Sequence, residues 1–299
     1  MTLALPPRLL ESARASAEGT AWLARLPREL ERLAQRWSLE FEAEPGGAGA
    51  TCSYVAFVRR TDGTKAVLKL GLPHMEAEQE ALGLRAWGSD PASPIVRLLA
   101  EDEASGALLI ERCDPGTPLS LQPEPEQDDV IAGLLRRLWR APAPGQAFRP
   151  LSEMVRYWAD IALARPHEWP DPGWVRAGVS RLLELGQPGA DDALLATDLH
   201  AGNVLAASRE PWLAIDPKPF FGDRSYDATQ HLSNCTSRLC ADPSGTVTRF
   251  CQLLNVKHER VHAWLFARFA AHTRRGRLTF GLSDRDAVSL ARRLEKLAD

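Results

Sequence analysis

A basic surplus, paired cysteines and long apolar runs are all missing from this sequence. Lys and Arg number 36 against 39 Asp and Glu, a formal net charge of −3, so there is no positive field of the kind that wraps nucleic acid or settles on an anionic membrane. Neither partner is expected. The five cysteines, Cys52, Cys113, Cys235, Cys240 and Cys251, are odd in number, scattered and never spaced Cys-x-x-Cys. That argues against a disulfide framework or a zinc knuckle and points to reduced thiols in a cytoplasmic protein. No stretch of about 18 uncharged apolar residues occurs, and the opening MTLALPPRLLESARAS has no basic segment ahead of an apolar run, so neither export nor a membrane span is expected. Internal repeats and long low-complexity tracts are absent as well.

What is there is 44% hydrophobic and 25% charged residues over 299 positions, ordinary for a globular chain that needs no metal or staple to fold. From Pro7 to Trp37 apolar residues recur at helical spacing, with Gly19 and Pro27 as expected interruptions. The period then changes. Leu39-Glu40-Phe41, the segment Tyr54 to Val58 and the segment Ala66 to Leu70, punctuated by PGGAGA and Asp62-Gly63, read as three antiparallel strands. An acidic helix over His74 to Trp87 and two short strands near Ile95 to Leu99 and Ala107 to Glu111 complete a β-rich lobe, residues 1–112. Residues 113–299 read as mostly helical, with one polar island from Leu194 to Asp223 that has the pattern of a loop and a hairpin. The fold class is α+β, a small antiparallel sheet lobe followed by a larger helical lobe.

The polar island carries the most informative residues. Asp198-Leu199-His200-Ala201-Gly202-Asn203 is followed, thirteen residues after the Asn, by Asp216 in Ala214-Ile215-Asp216-Pro217. Phosphoryl transfer needs a carboxylate to orient a hydroxyl and take its proton, and oxygen ligands for a Mg²⁺ that bridges nucleotide phosphates. A tight loop with Asp198 at its start and Asn203 at its end, and a strand that brings Asp216 back, can supply all three. Taken alone, Asp-x-x-x-x-Asn is a common capped turn, and the order along the chain is what makes it informative. Upstream lie Gly46, Gly47 and Gly49, which let a backbone approach phosphates closely, and Lys69, the one charge in Val67-Leu68-Lys69-Leu70. An edge-strand lysine facing solvent is the plain alternative for Lys69. In the functional reading it contacts nucleotide phosphates and is held by a carboxylate of the next helix. Glu80, ahead of Ala81-Leu82-Gly83-Leu84 and toward the middle of that helix, is preferred for this role over Glu76 one turn earlier. The glycine turn lacks a Gly-Lys-Ser/Thr ending, which argues against a Walker-type NTPase.

Three segments, LKLGLPHMEAEQEALGLRAW, TDLHAGNVL and IDPKPFFGD, resemble the aminoglycoside phosphotransferase family in its streptomycin 6-kinase and hydroxyurea phosphotransferase branch, over about Phe41 to Arg268. The resemblance implies a bilobal protein-kinase-like fold, ATP with Mg²⁺, and phosphate transfer to a hydroxyl of a small, cationic acceptor such as streptomycin. It implies Asp198 as catalytic residue, Asn203 and Asp216 as metal ligands and Lys69 as phosphate contact. Glu111-Arg112-Cys113 falls at the expected hinge, where backbone N–H and C=O groups would meet the adenine edge. The family commonly has His-Gly before the catalytic Asp, and this chain has Ala196-Thr197.

The remaining features have plainer readings. Asp223 and Asp227 stand where a helix should begin and read as caps, with contact to the acceptor as a second role for Asp227. Trp264 and Phe266 read as helix packing. His258-Glu259-Arg260-Val261-His262 matches the zinc-protease pattern, but Arg260 sits inside it and no third ligand follows, so it reads as a surface helix with two solvated histidines. A non-catalytic nucleotide-binding regulator on the same fold is the alternative from another class; two metal ligands and a base argue against it.

Overall fold

The computed structural model describes residues 5–42, 50–276 and 278–298. Its contacts divide it into two compact units, one running to Gly116 and taking in Ala207–Leu213, the other made of Thr117–Ala206 and the chain from Ala214 onward. The first unit therefore continues four residues past the expected limit at Arg112, and it reclaims a later segment. Arg209 accounts for the later segment. Its guanidinium donates to the Glu111 carboxylate at 2.9 Å and to the carbonyls of Ser93 and Ile95 at 2.8 and 2.7 Å.

The first unit opens with α1 (Pro7–Arg14) and α2 (Ala17–Trp37). The latter runs through both expected interruptions. Gly19 sits in its first turn, where its N–H donates to the Ser16 cap and a Cβ would lie 2.2 Å from the carbonyl oxygen of Ala13. It is a close approach between helices rather than a break. Five antiparallel strands follow, β1 (Leu39–Phe41), β2 (Ser53–Arg60), β3 (Lys65–Gly71), β4 (Leu98–Asp102) and β5 (Ala107–Glu111), in the order β1-β2-β3-β5-β4. β4 starts three residues later than the sequence suggests. Strand alternation puts Tyr54, Ala56 and Val58 of β2 and Ala66, Leu68 and Leu70 of β3 into one core with Trp22, Leu26, Leu30 and Leu33 of α2. Between β3 and β4 the expected long helix is two pieces: a 3₁₀ turn at Met75–Ala77, then α3 (Glu80–Gly88), separated at Gln79 with φ −109°, ψ 15°.

The second unit holds α4 (Glu124–Leu138), α5 (Leu151–Leu163) and α6 (Pro172–Leu185), then β6 (Ala193–Leu195), β7 (Val204–Ala206), β8 (Trp212–Ala214), which straddles the division, and β9 (Phe220–Gly222). β6 pairs with β9, and β7 with β8. α7 (Arg224–Asn234), α8 (Thr236–Ala241), α9 (Pro243–Leu254), α10 (His258–His272) and α11 (Asp284–Ala298) complete it. The expected single helix over Tyr226 to Cys240 is α7 and α8, joined at Cys235. α10 is buried from Val261 to Ala271, and α6, α7, α9 and α11 pack around it. Among the described residues no helix is long and apolar enough to cross a membrane.

Candidate active site

In the second unit β6 delivers the chain to Ala196 and Thr197, and everything after that is held by hydrogen bonds. Asp227, in the first turn of α7, is fully buried. It accepts from the Ala196 N–H at 3.1 Å, the Thr197 N–H at 2.7 Å and the Trp139 indole N–H at 2.8 Å. Burial pushes its carboxyl up to about 6, against the pull of those three donors. Both oxygens of Asp227 are thus engaged by the loop backbone and the Trp139 indole at 1% exposure, which favours a loop-supporting role over the acceptor contact considered for it. The helix cap falls to Asp223 instead, which accepts from the Ser225 N–H at 2.9 Å and from the Trp264 indole at 2.6 Å. Trp264 and Phe266 are core residues.

The loop so anchored presents Asp198. One carboxylate oxygen accepts from Gln230 Nε2 at 2.6 Å, and the other is ion-paired with Lys218 Nζ. Gln230 is itself aligned by Arg268, whose Nη2 donates to Gln230 Oε1 at 2.6 Å and whose Nη1 donates to the Thr229 hydroxyl. Further along, His200 caps a 3₁₀ turn by accepting the Gly202 N–H at its Nδ1, 3.1 Å away. A Cβ on Gly202 would come within 2.8 Å of the ring, so a larger residue here would have to displace the His200 imidazole. Burial holds the His200 imidazole below its ordinary pKa. Asn203 donates through Nδ2 to the Asp198 carbonyl at 3.0 Å and accepts the Ile215 N–H at its own carbonyl at 2.9 Å. The side-chain nitrogen is thereby committed to the loop, and the amide oxygen is of the donor type that could hold a hard cation. Asp216 follows β8 in a left-handed turn at φ 52°.

In the first unit Lys69 lies on β3, a central strand between β2 and β5, which removes the edge-lysine alternative. Its Nζ donates to both oxygens of Glu80 at 2.6 Å, and the two residues are 7% and 5% exposed, so the pair is dry. Glu80 is the first residue of α3 rather than a mid-helix residue, where a carboxylate also complements the helix dipole. The Glu111 carboxylate is engaged by Arg209, and its backbone N–H donates to the Arg97 carbonyl at 2.8 Å. Cys113 is buried, which pushes its thiol up to about 12. Gly46, Gly47 and Gly49 lie outside the described residues. The His-Glu-x-x-His segment opens α10, where His258 is exposed but His262 is buried at 1%. The expected pair of solvated histidines is thus one surface residue and one core residue.

Lys218, Gln230, Arg268 and Trp139 are neighbours of the loop that the sequence motifs above do not include. Of these only Lys218 left a usable signal, a charge between two prolines directly after Asp216. Gln230 and Arg268 are brought to Asp198 by the packing of α7 on α10, which no local pattern reveals.

A carboxylate loop of this construction, together with a sheet lysine clamped by a helix glutamate, defines a phosphotransferase of the protein-kinase-like class. In agreement, the fold matches a choline kinase from Streptococcus pneumoniae with a TM-score of 0.59 at 14% identity, over 91% of this chain and 99% of that one. Residues 36–275 match the model of the family described as aminoglycoside/hydroxyurea antibiotic resistance kinase, and the chain belongs to that family. It is 39% identical to a streptomycin 6-kinase of Streptomyces griseus, covering 90% of this chain and 89% of that protein. It is 36% identical to a hydroxyurea phosphotransferase of Kitasatospora aureofaciens, covering 84% and 73%.

Proposed function

We propose that this protein transfers the γ-phosphate of ATP to a hydroxyl of a cationic aminoglycoside, with streptomycin as the first candidate. The observation that carries the reading is the Asp198 carboxylate, fixed by Gln230 and Lys218 at the head of a loop that ends in Asn203. The 39% identity with a streptomycin 6-kinase supports the acceptor.

In this reading Asp198 orients the acceptor hydroxyl and takes its proton as the acceptor oxygen bonds to phosphorus. The bond from phosphorus to the β-phosphate oxygen breaks, and ADP leaves. The donor set of Asn203 and Asp216, an amide oxygen and a carboxylate, suits Mg²⁺, which takes oxygen ligands. When bound, the ion would neutralise charge on the β- and γ-phosphates. Lys69, held by Glu80, contacts the nucleotide phosphates, and the backbone of Glu111 to Cys113 meets the adenine through groups other than the Glu111 N–H, which already donates to the Arg97 carbonyl. The five unpaired cysteines fit a reducing, cytoplasmic setting.

A phosphate-transfer screen with ATP and Mg²⁺ over aminoglycosides, hydroxyurea and other small hydroxylated compounds tests the reading. Transfer to an aminoglycoside is expected. Transfer only to another alcohol would overturn the acceptor, and no transfer to any compound would favour a nucleotide-binding regulator.

A further inference from the structure

Lys218 is held with a rigour that a solvent-facing lysine does not need. It stands between Pro217 and Pro219, whose rings fix the backbone on either side. Its own N–H donates to the Ala196 carbonyl at 2.9 Å, and its carbonyl accepts the Thr197 hydroxyl. Thr197 occupies the left-handed region at φ 49°, a conformation that costs a β-branched residue. The hydroxyl bond to Lys218 is a contact this side chain supplies and glycine would not. The strained position therefore braces the lysine, and the lysine side chain ends on Asp198.

An ammonium in that place has an electrostatic task. The transferring phosphoryl carries negative charge on its three equatorial oxygens, and the carboxylate that receives the acceptor's proton must work beside it. Two anions at that range repel. A lysine ammonium can donate to a carboxylate and a phosphate oxygen at once. Gln230 holds the other oxygen of Asp198, so the carboxylate keeps its orientation when Lys218 shares its charge.

We propose that Lys218 is a catalytic residue whose ammonium, paired with Asp198 in the free protein, contacts the transferring phosphoryl of bound ATP, with the Thr197 hydroxyl as its brace. The inference rests on the phosphotransferase reading above. The transfer itself is unchanged: phosphorus leaves the β-phosphate oxygen for the acceptor oxygen, whose proton goes to Asp198, and Lys218 neither gains nor loses a proton.

The test uses the full chain and compares Lys218→Met with Lys218→Arg, and with Lys218→Gln should the Met variant fail to fold. The first readout is binding by calorimetry in Mg²⁺ of ADP and of the non-hydrolysable triphosphate AMP-PNP. Loss of a charge-assisted contact to the γ-phosphate is expected to weaken AMP-PNP by about tenfold, with ADP within about threefold of wild type. The second readout is transfer, where kcat should fall by about 10² or more with the acceptor KM little changed, and Arg should recover much of it. An AMP-PNP to ADP affinity ratio equal to that of wild type would overturn the proposal. So would a Met variant that turns over at the wild-type rate. The binding ratio needs no acceptor, so failure of the Lys218 role and failure of the aminoglycoside reading appear in different measurements.

Discussion

The hydroxyl of Thr197 donates to the carbonyl of Lys218, and the Lys218 ammonium returns to the carboxylate of Asp198, the next residue after Thr197. The two segments that flank the β7–β8 hairpin are thus closed into a ring around one carboxylate. At the position where the resemblance implies glycine, this chain has Thr197 in the left-handed region at φ 49°, and the cross-brace is what the threonine adds.

Replacing that threonine separates strain from brace. Thr197→Gly loses a hydrogen bond of about 1 kcal/mol and relieves left-handed strain of about 1–2 kcal/mol, so it should lie within about 1 kcal/mol of wild type. Thr197→Val keeps the strain and loses the bond, and should be less stable than either by about 1 kcal/mol or more. Denaturant melts check the order. A Val variant as stable as the Gly variant would contradict it.

Asp227 holds the loop through three hydrogen bonds and is expected to act by that support rather than by contact with the acceptor. Asp227→Ala leaves the N–H groups of Ala196 and Thr197 and the Trp139 indole without their acceptor, a loss of about 3 kcal/mol or more in stability. In the fraction that stays folded, kcat should drop while the acceptor KM holds. Steady-state kinetics at low temperature reads this, and a rise confined to KM would restore Asp227 as an acceptor contact.

The metal ligands can be told from the base by binding. Asp216→Asn should weaken Mg²⁺-supported nucleotide binding more than Asp198→Asn does, because only Asp216 is a direct ligand in this scheme. Calorimetry with and without Mg²⁺ decides it, and equal losses would show the division of roles to be wrong.

A buried ion cluster makes stability depend on pH. His231 is fully buried against Asp128, at 2.8 Å, and Arg238 donates to both oxygens of that carboxylate at 2.7 Å. Burial opposes the charge on His231, but the Asp128 bond wins and lifts its pKa from 6.5 to about 9. Its contribution is complete below pH 6.5 and is lost as pH rises through about 9. Asp128 moves the other way, down to about 2, where burial is outweighed by Arg238 and His231. Its contribution is present above the ordinary carboxylate range and lost as pH falls through that value. Thermal melts should therefore decline between pH 6.5 and 9, and Asp128→Asn should be less stable by about 3–5 kcal/mol with a flatter profile over that window. An unchanged slope in the variant would reject the assignment.

The sequence was most legible where chemistry and strand period coincide. The placement of Asp198 and Asn203 in one tight loop and of Asp216 after a returning strand follows from their spacing, and the buried partner of Lys69 from a charge inside an apolar strand. Glu80 could be chosen as that partner, but not as the first residue of α3, since the 3₁₀ turn before it carries the same acidic pattern as a helix. The run of α2 through Pro27 was hidden for a related reason. A local breaker is overridden when Trp22, Leu26, Leu30 and Leu33 bury one continuous face. Gln230 and Arg268 were out of reach altogether, because only the packing of distant helices brings them to Asp198.

The most direct test of the central claim is transfer of radiolabelled γ-phosphate from ATP to streptomycin by the wild-type chain and by Asp198→Ala. Mg²⁺-dependent labelling of streptomycin, lowered about 10²-fold or more in the variant, is the result predicted. Full turnover by Asp198→Ala on whichever acceptor the wild type labels would contradict the account.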